Sequence, residues 1–249
     1  MSSLMPGGRW TEPVLEQEVE VPVPGGVMGA HVARPLRPLG LVVIANPSAI
    51  SHLGRSERFV ASSLVRAGLM TCSLDLLTED EDVARAGAAD DVPLLAERLH
   101  RATRWLRHKG PARGLPFGYL GQGPAAAAAL IVSALDPDGA SAIVSRDGSP
   151  AQAGAALLLS RAPTLFLVAG DCPARLSETG SLCGPRGMSR LEVLPATPPE
   201  AALDRVVAAS TAWFLRWLTP APATQALHRL RAAQPGCAPS LRADFPEAR

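Results

Sequence analysis

Several short stretches carry side chains able to do chemistry together. Ser48, Ser51 and His52 fall within one loop-like segment, Asn46-Pro47-Ser48-Ala49-Ile50-Ser51-His52. A hydroxyl beside an imidazole is the pairing that makes an oxygen nucleophile, and the same residue types also satisfy loop backbone groups. Asp171 adjoins Cys172, whose thiol turns nucleophilic only beside a cation or helix N-terminus and otherwise packs as a small apolar group. Arg146 and Asp147 could hold an anion, or pair with each other and with loop backbone. Gln122, within Gly121-Gln122-Gly123-Pro124-Ala125, places an amide on a tight turn where it can hydrogen-bond a ligand. Cys72, Cys172, Cys183 and Cys237 lack metal-ligand spacing. The chain is long enough to build its own core, so neither zinc, disulfides nor another cofactor is expected.

These residues need elements to hold them. Residues 14–24 alternate apolar with acidic or proline positions, and Gly25-Gly26 turns into 27–33, which predicts an antiparallel hairpin at a sheet edge. The continuous run Leu41-Val42-Val43-Ile44-Ala45 predicts a strand buried on both faces. Strand and helix then alternate. Helices are expected over 56–67, 91–108, 124–135, 152–159 and 201–218, and strands over 69–74, 115–120, 140–145, 164–169 and 191–194. Phe59, Val60, Ser63 and Leu64 define the buried face of the first helix, and Glu97, Arg98, Arg101, Arg104 and Arg107 a solvated face of the second. Trp213, Phe214 and Trp217 read as packing against the sheet. The pattern predicts an α/β fold with a mostly parallel central sheet, helices on both faces and ligands at the strands' carboxyl ends. Residues 1–13 read as an extension, 14–218 as one domain, and 219–249 as a proline-rich C-terminal extension.

Composition narrows the partners. Lys+Arg of 24 against Asp+Glu of 23 leaves a net charge of +1, so no basic footprint for nucleic acid or an anionic membrane is present. No leader pattern precedes the first strand, and the longest apolar run is too short to span a bilayer, so a soluble cytoplasmic protein is expected. A small-molecule ligand, a protein partner, or homo- or hetero-oligomerisation all remain compatible with the chain.

From Leu41 to Leu218 the element order and several strings resemble the dienelactone-hydrolase-like branch of the α/β-hydrolases. The strings include Asp75-Leu76-Leu77-Thr78, Pro93-Leu94-Leu95-Ala96-Glu97-Arg98-Leu99, Gly114-Leu115-Pro116-Phe117-Gly118-Tyr119-Leu120-Gly121, Val144-Ser145-Arg146-Asp147-Gly148 and Leu191-Glu192-Val193-Leu194-Pro195. The resemblance implies a nucleophile at a strand-to-helix elbow of the form G-x-S-x-G, with an acid and a histidine in later loops. Here Gly123 occupies the nucleophile position and Ala125 the last glycine. The acid position falls on Cys172 or, shifted by one, on Asp171. Pro198 takes the place of the histidine, and no histidine lies between His108 and His228. Pro124 has no N–H to give an oxyanion hole, and Asn46-Pro47 alter the loop that supplies the second donor. The ligand pocket of such a site would be lined by Asn46, Ser48, His52, Gln122, Gly123, Arg146, Asp147, Asp171 and Cys172.

These substitutions imply a catalytically inactive member acting as a ligand-binding or assembly component, with no catalytic triad. The alternative is an active esterase, or another enzyme on this fold, that uses relocated residues such as Ser48, Ser51 or His52. A purely structural subunit that makes contact through residues 219–249 is a third reading.

Overall fold

Alternation builds the first two strands. On β1 (Val14–Val23), Val19, Val21 and Val23 turn to the core while Glu16, Glu18 and Glu20 stay exposed. β2 (Gly26–Pro35) returns antiparallel, with Val14 opposite Pro35 and Val23 opposite Gly26. The computed structural model describes residues 14–24, 26–48, 54–84, 87–108, 112–136, 139–181, 183, 188–196 and 199–219. The extension expected over 1–13 falls outside them, as does that expected over 219–249 apart from Thr219.

The all-apolar segment becomes β3 (Leu41–Asn46), buried at every position between β4 (Met70–Asp75) and β5 (Phe117–Gln122). With β6 (Ala142–Arg146), β7 (Thr164–Ala169) and β8 (Ser189–Leu194), the described residues form one eight-stranded sheet of order β1-β2-β4-β3-β5-β6-β7-β8. β2 joins β4 antiparallel, and every later pairing is parallel.

Helices cover both faces. On one side α3 (Val92–His108) and α4 (Pro124–Leu135) bury Leu95, Leu99, Ala127 and Leu130 against Met28, Val43 and Tyr119. The Tyr119 hydroxyl donates to Thr103 Oγ1 at 3.0 Å, so this deeply buried phenol has a partner. On the other side α1 (Arg55–Arg66) and α7 (Pro199–Leu218) bury Val60, Leu64, Val206 and Phe214 against Val42, Ile44 and Leu120. Trp213 is buried as expected and donates through Nε1 to the Pro163 carbonyl at 3.3 Å. Among the described residues no helix is long and apolar enough to cross a membrane.

Three local expectations are corrected. Phe59 is 39% exposed, because Val60 and Leu64 form the stripe that meets the sheet and turn Phe59 outward. Arg98 is not on the solvated face. It is 4% exposed, and its Nη2 is paired with the Glu81 carboxylate and also donates to the Pro24 carbonyl at 3.5 Å. The helix expected over 152–159 is broken into a 3₁₀ turn (Pro150–Ala153) and a short α5 (Ala156–Leu159), because Gly154 takes φ +55° between them. Two helices lie outside the elements expected from the sequence. α2 (Glu79–Ala84) starts at a reciprocal cap, with the Glu81 backbone N–H donating to Thr78 Oγ1 at 3.2 Å and the Thr78 N–H to Glu81 Oε2 at 3.0 Å. α6 (Pro173–Gly180) starts on a proline in its first turn.

Candidate functional site

The turn from β5 into α4 is held by glycines for two different reasons. A Cβ on Gly121 would stand 2.7 Å from the Ala125 carbonyl oxygen and from the nitrogen and Cα of Ala126, so only glycine lets the helix lie this close to the strand. The buried run Ala125–Ala129 continues that close approach along α4. Gly123 is different. It caps α4 with φ +54° and ψ −127°, a backbone state that disfavours any side chain, yet a Cβ there would touch nothing within 4 Å. Its N–H donates to the Arg146 carbonyl at 3.0 Å, which ties the turn to the end of β6. Pro124 follows in the first helical turn and lacks an N–H.

The neighbouring strand ends are held mostly by backbone bonds. Asp147, with φ +50°, accepts the Ala169 N–H on Oδ1 at 3.0 Å and donates its own N–H to the Leu167 carbonyl at 2.9 Å. Arg146 Nε lies 3.9 Å from Asp147 Oδ2 and is buried without a hydrogen bond. Asp171 is exposed, and half-buried Cys172 precedes α6 without capping it through its side chain. Asn46, at the end of β3, is buried and donates from Nδ2 to Asp75 Oδ1 at 3.4 Å. Ser48 donates to Asp82 Oδ2 at 2.5 Å. Gln122 is exposed at the last position of β5. Ser51, His52 and Pro198 lie outside the described residues. Burial pushes the Cys72 thiol up to about 12 and raises that of Cys183, so neither is poised as a thiolate.

A groove of about 1050 Å³ opens elsewhere, between α1 and the outer face of the hairpin. Of the described pocket residues expected from the sequence, only Asn46 lines it. Its hairpin side carries Glu16 and Glu18, its floor Gly29, His31, Ala33 and Ser73, and its helix side Arg55, Arg58, Phe59, Ser62 and Arg66. His31 faces Ser73 across the β2–β4 pairing, and its Nε2 lies 3.7 Å from Glu16 Oε2. Ser73 Oγ is buried without a partner, so serine, imidazole and carboxylate lie in a row on three strands without being hydrogen-bonded as a relay. The strand backbone here is committed to sheet ladders. The signals that could have located this groove are the carboxylates at every second position of β1 and the arginines at helical spacing on α1.

The fold has close counterparts of known structure. The crystal structure of dienelactone hydrolase from Anabaena variabilis superposes with a TM-score of 0.75 at 31% identity, over 82% of this chain and 99% of that one. The chain belongs to the dienelactone-hydrolase-like α/β-hydrolases. Among other members of the wider fold, Est1E from Butyrivibrio proteoclasticus superposes with a TM-score of 0.64 at 10% identity, over 80% of this chain and 98% of that one, a likeness of fold alone. No protein-family model matches this dienelactone-hydrolase-like chain. Two curated Mycobacterium tuberculosis proteins named "Putative phosphoribosyl transferase", from strains CDC 1551 and H37Rv, are each 35% identical over 212 residues, 82% of this chain. The chain spans about half the length of these relatives, 47%.

Proposed function

We propose that this dienelactone-hydrolase-like protein does not hydrolyse esters and serves as a binding or assembly component on a retained hydrolase scaffold. The observation that carries the reading is Gly123. It keeps the left-handed turn at which the fold presents its nucleophile and offers no oxygen or sulfur there. Pro124 supports it, because the residue after the nucleophile normally donates a backbone N–H to the oxyanion and proline has none. The histidines of the chain, His31, His52, His100, His108 and His228, all lie outside the β5–α7 stretch that carries the family's triad. Nucleophile and base act as a unit worth roughly a million-fold in rate, and the oxyanion hole supplies much of what remains, so losing all three leaves no acyl-transfer machinery at this turn. We assign the phosphoribosyl transfer in the name of the mycobacterial relatives to the half of those proteins that this chain does not span, since the matched half is hydrolase-like in fold.

The test uses the purified full chain with a fluorophosphonate probe and a panel of short acyl esters. No covalent labelling and no turnover above the buffer rate are expected. Stoichiometric labelling, or turnover abolished by Ser48→Ala or Ser51→Ala, would overturn the proposal.

A further inference from the structure

The groove beside α1 has a property that neither the family nor the elbow accounts for. Its two walls are oppositely charged and run side by side. Glu16 and Glu18 line the hairpin wall, Arg55, Arg58 and Arg66 line the helix wall, and Glu16, Glu18, Arg55 and Arg66 are all exposed at their surfaces. Between them the floor carries Gly29, His31, Ala33 and Ser73. The helix wall is also a ridge, whose crest carries Phe59 at 39% exposure, an aromatic group with no core to fill.

An acidic wall and a basic ridge side by side are self-complementary about a two-fold axis. Turning one copy by half a rotation sets its α1 ridge into the groove of the other. The arginines of each copy then meet the glutamates of its partner, and both Phe59 rings leave water. A single-sign anion would meet Glu16 and Glu18 on the opposite wall, and a single-sign cation would meet the arginines. An occupant must therefore carry both signs in the reverse order, and a second copy of this chain does so by construction. We propose that this face is the interface of an isologous homodimer in which α1 of each copy docks in the α1–hairpin groove of the other. This inference is independent of the chemistry at Gly123 and holds whether or not the protein is a hydrolase.

Charge reversal followed by mixing tests it on the full chain. Sedimentation equilibrium at low salt is expected to give about twice the 25.9 kDa chain mass. Two variants, Glu16→Arg/Glu18→Arg and Arg55→Glu/Arg66→Glu, are each expected to sediment as monomers, weakened at least tenfold by like charges at both halves of the interface. Mixed in equal amounts they are expected to regain the dimer, because every facing pair is then opposite in sign. Raising the salt is expected to weaken both dimers. All four positions are exposed, and matching thermal melts would show that the variants stay folded. A wild-type monomer, a dimer indifferent to either variant, or two folded variants that do not associate on mixing would each overturn the proposal.

Discussion

Gly121 lies so close beneath Ala126 that a methyl group on it would stand 2.7 Å from the Ala126 backbone nitrogen, while Gly123, two residues on, has open space where a side chain would go. The two glycines should therefore respond differently to the same change. Gly121→Ala must push α4 off the sheet and is expected to cost about 3 kcal/mol or more, the upper end of overpacking. Gly123→Ala meets no atom and costs only its positive-φ backbone, about 1–3 kcal/mol. Chemical denaturation of the two variants measures the difference directly, and equal losses would contradict the geometry.

Gly123→Ser is expected to fold and to remain inactive. The new hydroxyl would occupy open space, but Pro124 cannot donate to an oxyanion and the loops between β5 and α7 carry no imidazole. Ester turnover should stay at the buffer rate. A rise of a hundredfold or more would mean that base and donor are supplied from elsewhere in the chain.

Arg98 gives a stability prediction. Its guanidinium is buried and its carboxylate partner is Glu81, which also closes the cap of α2. Glu81→Ala is expected to cost about 2–4 kcal/mol, combining a lost cap with a buried charge left short of its partner. At this chain length that lowers Tm by roughly 5–15 °C. Combining it with Arg98→Met removes the stranded charge and should restore more than half of the loss. A double variant as unstable as Glu81→Ala would show that the charge is not the cause.

Stability should fall in alkali. Burial raises the Cys72 thiol from 9.0 to about 12 and raises the Tyr119 phenol as well. Both groups stay protonated in the fold after their unfolded counterparts have lost their protons, so the unfolded state binds fewer protons above the ordinary thiol value. Denaturant midpoints are expected to hold steady with respect to these groups below about pH 9 and to decline from there toward pH 12. Cys72 should resist a thiol reagent at pH 8 until denaturant is added. Rapid native labelling at Cys72 would contradict its burial.

Much of this architecture is legible in the sequence, for physical reasons that differ by element. Leu41 to Ala45 reads as a doubly covered strand because nothing polar interrupts it, and α4 begins at Pro124 as expected because that proline fits a first helical turn. Arg98 escaped because periodicity places it beside Arg101, on the outer side of α3. Its partner Glu81 comes from a short helix that only its capping pair, Thr78 and Glu81, marks in the sequence. The turn at Gly123 was legible because its chemistry is local. The groove was not, because Glu16, His31 and Ser73 become neighbours only through the antiparallel joint of β2 with β4, a pairing that no local pattern specifies.

Among the described residues β1 ends the sheet on one side, and a ten-residue rim strand would ordinarily invite a stranger's backbone to zip on. A second β1 laid antiparallel against it would bring Glu16, Glu18 and Glu20 into register with their own kind, and Pro22 would leave a rung of that ladder without a donor. The first strand thus guards the molecule against growing into ribbons, leaving its side-chain face free to meet other molecules.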